Sequence, residues 1–274
     1  MVVYADFPVH IEVYPRIVKQ GTVCLIRVSV PGSPQSIESL FQGKRISMDL
    51  CGQSGIYEGL LGIDMNTPPA GYEIKVVGTD RGGMVFTGVL SLKVEKAHFG
   101  IERLSLPSDR VDLDAKTLER VNRETKKLKS VFEVSRKERI WKGAFIRPIQ
   151  GELSSAFGVK RIINGRDKSP HTGIDLEAKE GTPVLACNSG VVVLVDELFF
   201  SGKSIILDHG WDLYSMYFHL SESLVKEGEK VSTGAILGHV GSTGRSTRPH
   251  LHWGVRMNGA RVNPLSLLEL RSNL

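Results

Sequence analysis

Two stretches of this chain have the spacing of a helix, and that scarcity most limits what it can fold into. Leu118, Val121, Thr125, Leu128 and Phe132 recur at alternating steps of three and four, with charged residues between them. The pattern predicts one amphipathic helix packing a single stripe, with Asp114 placed to cap its N-terminus. The second stretch, near Leu265 to Leu270, is short. Elsewhere, β-branched runs are cut every few residues by Gly, Pro and Asp, which predicts short strands joined by turns. A mainly β protein is expected.

The runs fall into two groups. His10 to Tyr14, Val23 to Val30, Lys44 to Leu50, Gly55 to Ile63, Tyr72 to Val77 and Val85 to Val94 follow at short intervals. They predict a small β-sandwich over residues 1–97. Residues 98–145 carry the helix and read as a helical connector. From Phe145 onward strands are expected at Thr182 to Ala186, Gly190 to Val195, Ser204 to Asp208 and Leu213 to Leu220, with a turn, strand and turn over Gly228 to Gly234. Residues 146–274 thus form a second β domain, and 274 residues suffice for both.

Composition narrows the function classes. The chain is 41% hydrophobic and 24% charged, as globular proteins are. Its formal net charge of +5 suits anionic surroundings such as a bacterial envelope, which allows peripheral association there. No Lys/Arg cluster is interleaved with aromatics, so no nucleic-acid partner is expected. Lys126, Lys127 and Lys129 read as a solvated helix face. No run is apolar enough to span a bilayer. Val3-Tyr4-Ala5 has the small-residue character of a cleaved signal end, which predicts a periplasmic or secreted protein. Cys24, Cys51 and Cys187 lack metal-site spacing. Cys24 and Cys187 are expected in the core, and pairing of Cys24 with Cys51 stays open.

The chemistry concentrates in His250-Leu251-His252 and His171-Thr172-Gly173-Ile174-Asp175. Histidines two apart on a strand share a face. His171, Asp175 and His252 make a three-ligand set with one tetrahedral position left for water, as in zinc hydrolases. His250, on the same face as His252, is then free to act as general base. His219, in Tyr217-Phe218-His219-Leu220-Ser221, is a candidate donor to an oxyanion. Two histidines and a carboxylate also form the facial triad of non-haem iron enzymes, which gives His219 and His250 no task. His10 and His98 read as structural, His209 as a turn residue, and His239 as a packing or hydrogen-bonding group.

Seven fragments occur in one order: Ser155-Ala156-Phe157-Gly158, His171-Thr172-Gly173-Ile174-Asp175, Gly181-Thr182-Pro183-Val184, Gly190-Val191-Val192, Tyr217-Phe218-His219-Leu220-Ser221, Gly241-Ser242-Thr243-Gly244-Arg245-Ser246-Thr247 and His250-Leu251-His252. Together they make residues 146–274 resemble the lysostaphin-type zinc endopeptidases that cut peptidoglycan peptides. The resemblance implies a compact antiparallel β-sheet domain with a loop-walled groove. It implies one Zn2+ held by His171, Asp175 and His252, with His219 and His250 catalytic. It also implies peptidoglycan peptides as substrate and an Ig-like module before the catalytic domain. Arg248 stands where relatives commonly carry a small residue, and Trp253-Gly254 replaces an aromatic–acidic pair. Both departures are expected to border the groove. A silent wall-binding or activator protein on the same scaffold, or an enzyme held latent by its N-terminal region, is the alternative.

Overall fold

The computed structural model describes residues 8–52, 55–105, 112–134, 136–167 and 169–272. The signal-like Val3-Tyr4-Ala5 lies outside the described residues. The chain divides into two compact units, one up to Ala97 and one spanning His98–Ser272.

In the first unit, strands His10–Tyr14, Val23–Ser29, Ile56–Gly62 and Asp49–Leu50 pair in that order. A second sheet orders Val18–Lys19, Val85–Glu95, Ala70–Thr79, Ser36–Phe41 and Lys44–Ile46. Ile26, Val28 and Leu61 of the first sheet share one buried core with Phe41, Ile74 and Phe86 of the second. This is a β-sandwich, in which the apolar residues of alternating strands face inward. The strand Ser36–Phe41 has no apolar–polar alternation to reveal it. Its Ser39 is fully buried, and its hydroxyl hydrogen-bonds the Met48 sulfur. Cys24 is a buried thiol whose pKa burial pushes up to about 12, and no disulfide joins it to Cys51.

The second unit is built on a ten-stranded sheet. Its main path runs Glu152–Ser155, Gly173–Glu177, His250–Met257, Leu213–Ser223, Gly202–Asp208, Gly190–Leu198 and Lys230–Val231. Ile236–Val240 pairs with Leu213–Ser223 and with Pro183–Leu185, and Ala260–Val262 pairs with His250–Met257. Every pairing in this sheet is antiparallel. The expected short C-terminal helix is Pro264–Leu268.

The main helix spans Ala115–Val131, and Asp114 caps it by accepting from the Thr117 N–H. Its stripe has a definite target. Leu128, Val131 and Phe132 pack on Leu194, Leu198, Ile206, Tyr214 and Met216 of the sheet. On the polar side, Lys127 reaches Asp196 at 2.7 Å. Ahead of the helix, Ile101–Leu104 pairs in parallel with Lys160–Ile163. The stretch read as a connector thus contributes both a helix and a strand to the second unit, because the helix packs its apolar stripe on the sheet and the strand pairs with Lys160–Ile163.

His209 is no surface turn residue. It is fully buried, with Nδ1 at 2.7 Å from the Ser189 carbonyl and Nε2 at 2.7 Å from the Ser215 hydroxyl. Ser215 continues the network to the Tyr217 hydroxyl, which accepts from the Cys187 N–H. Burial pushes the His209 pKa from 6.5 down to about 4. The unfolded chain therefore binds the extra proton between those values, so stability falls as pH drops through that window. The expected loss from this one residue is about 3 kcal/mol. In urea unfolding, the stability gap between wild type and His209→Gln should shrink from pH 7 to pH 4.5. A gap constant with pH would refute the assignment.

Candidate active site

The sheet register assembles the centre. Asp175 and His252 lie directly opposite each other on Gly173–Glu177 and His250–Met257. Opposed residues on antiparallel strands project from the same face. His250, two residues earlier, shares that face and opposes Glu177. His171 precedes its strand on a loop tied at both ends. Its N–H donates to the Val159 carbonyl, and its own carbonyl accepts from the Gly158 N–H. The His171 Nε2 atom then sits 2.9 Å from Asp175 Oδ1 and 2.9 Å from His252 Nδ1. The third side of the triangle, His252 Nδ1 to Asp175 Oδ1, is 2.8 Å. All three residues are buried.

This donor set fits a single metal ion. His171 Nδ1 faces the Ala156 carbonyl at 3.0 Å, so the ring proton resides there and Nε2 presents its lone pair to the triangle. A tetrahedral ion with bonds near 2.0–2.1 Å separates its donors by roughly 3.3 Å. The triangle closes to within half an ångström of that. Without a cation, lone pairs and a carboxylate oxygen converge in a buried place, an arrangement that a divalent ion resolves. Burial acts to raise the Asp175 pKa, but its close contacts with the His171 and His252 rings outweigh it and hold the carboxyl well below its usual range. Burial also lowers His252, to about 4, against the opposing pull of Asp175. The imidazole is thus neutral at pH 7, as metal ligation requires.

His219 reaches the same face by a different device. Phe218 opposes His252, and their rings stack with centroids 5.4 Å apart. Strand alternation alone sends residue 219 to the opposite face. Here Lys203 pairs with Leu220 but Ile205 pairs with Tyr217, so the strand carries one extra residue, a bulge. His219 absorbs it at φ 66°, a left-handed conformation that is uncommon outside glycine. Its ring then lies 4.8 Å from that of His250 and 6.2 Å from that of His252. The backbone N–H donates to the Ser201 carbonyl, and Nδ1 bonds the Thr243 carbonyl at 2.8 Å. His250 is held in the same manner, with Nδ1 at 2.9 Å from the Arg248 carbonyl. Both rings therefore keep Nε2 for the groove, and His250 Nε2 is 3.9 Å from Asp175 Oδ1. Burial, then the charges of His250 and His252, push the His219 pKa down to about 3.

Around these groups runs a groove in two halves that share Arg161, Ile163, His219 and Arg245. Arg161 was not singled out from sequence. It donates to Asp175 Oδ2 at 2.7 Å and to Glu102 Oε2 at 3.1 Å, and so fixes the carboxylate from its far side. Glu102 arrives on the strand Ile101–Leu104 and also accepts from Ser155 Oγ at 3.1 Å. The signal available in sequence was a lone arginine within the β-branched Arg161-Ile162-Ile163 run, too common a pattern to mark a site. Arg248 lines the groove and pairs with Glu177. Trp253, expected at the border, is fully buried, since alternation turns it to the core side of the strand. His10 and His98 are exposed and lie outside the groove, and His239 bonds Glu222 at 2.8 Å.

Comparison with known proteins agrees with this geometry. Residues 169–264 match the family model described as Peptidase family M23. A crystal structure of a peptidase M23 from Pseudomonas aeruginosa superposes with a TM-score of 0.69 at 28% identity, covering 91% of this chain and 94% of that one. The chain is 41% identical over 128 residues to the DD-carboxypeptidase/endopeptidase Mpg of Neisseria meningitidis, covering 46% of this chain and 30% of that protein. It is 41% identical over 114 residues to the peptidoglycan DD-endopeptidase ShyA of Vibrio cholerae, covering 41% of this chain and 26% of that protein. The chain thus spans less than a third of the length of these curated relatives. Residues 169–264, which contain His171, Asp175, His219, His250 and His252, thus form a domain of peptidase family M23.

Proposed function

We propose that this protein is a zinc-dependent endopeptidase that hydrolyses peptide cross-links of peptidoglycan outside the cytoplasm, in the periplasm or after secretion. The observation that carries this reading is the 2.8–2.9 Å triangle of His171, Asp175 and His252 with two further imidazole Nε2 atoms turned to the same groove. ShyA, a peptidoglycan DD-endopeptidase by description, supports the substrate class, and Mpg, a DD-carboxypeptidase/endopeptidase, supports the reaction. An iron oxygenase would use the triangle but leave both extra histidines idle.

The chemistry that zinc supplies when bound at such a triad is Lewis acidity toward a carbonyl and a water whose pKa falls to about 7. The remaining work falls to the protein. His250, hydrogen-bonded at Nδ1 and less buried than His219, takes the proton of the attacking water on Nε2. His219 is the harder case. Its Nδ1 proton is committed to the Thr243 carbonyl, so the neutral ring offers an acceptor, not a donor, to the groove. It accepts a hydrogen bond from water in the ground state and donates to a developing oxyanion only after gaining a proton. The ring lies 4.8 Å from that of His250, whose charge is one cause holding the His219 pKa down. Arg161 holds Asp175 in place through Oδ2 and leaves Oδ1 for the triangle.

The test is mass spectrometry of purified peptidoglycan after incubation with the zinc-loaded full-length protein. New amine and carboxyl ends should appear in cross-linking peptides. His250→Ala should slow their release by about 10²–10⁴-fold, the usual weight of a general base. Intact cross-links from both diamino-acid and glycine-bridged walls, at confirmed zinc occupancy, would overturn the reading.

A further inference from the structure

Three arginines and two carboxylates line the groove, but they do not pair off: Arg248 reaches away to Glu177. Asp175 and Glu102 both bind Arg161. Arg245 has no carboxylate partner among the described residues, although it lines both halves of the groove alongside His219. Its one strong contact is with Phe200, over whose ring the guanidinium stacks at 4.2 Å. Stacking satisfies the flat face of a guanidinium and leaves its edge of N–H donors free for a planar anion. Burial and the nearby Arg161 charge both push the Arg245 pKa down, the mark of a cation short of a counter-charge.

The side chain is also fixed in place. The Arg245 N–H donates to the Phe200 carbonyl at 2.9 Å. The preceding Gly244 lies so close to Gly202 that a Cβ there would meet the Gly202 nitrogen. Thr243, on the same loop, anchors His219. One loop therefore sets both the histidine that faces the chemistry and the cation beside it. A half-buried cation held rigid without a counter-charge is costly unless a ligand supplies one.

We propose that Arg245 is a specificity-determining residue that binds a free carboxylate of the substrate close to the scissile amide. The assignment rests on the endopeptidase reading and narrows its substrate class. A cross-link made through a diaminodicarboxylic acid keeps such a carboxylate, whereas a glycine bridge has none. The protein therefore acts on cross-links of the first kind. Arg245 takes no part in bond breaking. It aligns the peptide so that the amide lies at the metal triangle.

Two synthetic cross-linked peptides test this: one with the free carboxylate and one with it converted to the amide. Each is assayed for cleavage by the zinc-loaded full-length protein and, separately, for binding to metal-free protein by calorimetry. A charge-assisted hydrogen bond predicts about 10- to 100-fold preference for the carboxylate form in both measurements. In Arg245→Gln that ratio should fall toward one, and Arg245→Lys, which keeps the charge without the fork, should fall between. A purely structural role would lower both peptides alike and keep the ratio. Equal cleavage of both peptides by wild type would overturn the carboxylate site and leave the endopeptidase standing. Binding preference lost in Arg245→Gln, with neither peptide cut by wild type, would do the reverse. If Arg245→Gln does not fold, the wild-type ratio and its reduction in Arg245→Lys still decide the matter.

Discussion

His171→Ala should bind zinc too weakly to retain it through dialysis, while His250→Ala should keep a full equivalent. The two differ because His171 Nε2 is a corner of the triangle, within 2.9 Å of both other donors, whereas His250 Nε2 stands 3.9 Å from Asp175 Oδ1. Loss of groups that merely orient ligands costs about 10- to 100-fold in metal affinity, so loss of a ligand costs more. Asp175→Ala and His252→Ala should behave as His171→Ala does. Arg161→Met, which removes the grip on Asp175 Oδ2 and Glu102 but no corner of the triangle, should fall at the smaller cost. Two readouts separate the classes without any assay of turnover. Metal analysis after dialysis gives occupancy. Thermal unfolding gives the stabilisation by added zinc, which follows RT ln(1 + [L]/Kd) and vanishes where the site is lost. Stoichiometric zinc in His171→Ala, or its loss in His250→Ala, would overturn the division of labour between these histidines.

Gly244→Ala is expected to cut turnover by about 10²-fold, the cost of a misplacement near 1 Å, while zinc stays bound. Gly244 adopts φ +70°, and an added Cβ would lie 2.3 Å from the Gly202 nitrogen and 2.8 Å from the Phe200 carbonyl oxygen. Both are backbone atoms, so no side chain can swing aside, and the loop must move. That loop is clasped by Thr243, whose hydroxyl donates to the Leu220 carbonyl and accepts from the Lys203 N–H. Its displacement withdraws the Thr243 carbonyl from His219 Nδ1, releasing a ring already held at a strained φ of 66°. The three metal donors sit on other segments and are spared. Turnover and zinc occupancy measured on one preparation check this. Unchanged turnover would show that the loop relaxes without moving His219.

Much of this was legible in sequence because strand chemistry is periodic. The two-residue spacing of His250 and His252 places both on one face whatever their neighbours do. The helix could be read from its three-and-four spacing and Asp114, and the structure starts it there. What the helix packs against was not legible, since a stripe announces only that it will be buried. Leu128, Val131 and Phe132 found the sheet because Leu194, Ile206 and Tyr214 expose an apolar face to them, residues about 60 to 90 positions downstream in the chain.

The limits appear where alternation breaks. Trp253, expected at the groove's border as a departure from the relatives' pattern, is buried, because neighbours on a strand face opposite ways and His252 takes the groove side. His219 belongs to the groove against alternation, through a bulge that no residue in Tyr217-Phe218-His219-Leu220 advertises. Arg161 and Glu102 come from strands that pair in parallel across a separation of 59 residues, and such pairing is invisible to local pattern. The sequence by itself determined the donor types, their shared strand face and the β character of the chain, because these follow from side-chain chemistry and a period of two. Only the tertiary structure decided which histidines turn Nε2 to the groove and which cation there lacks a counter-charge among the described residues. Tautomer and pairing depend on backbone carbonyls and carboxylates that folding brings together from distant strands.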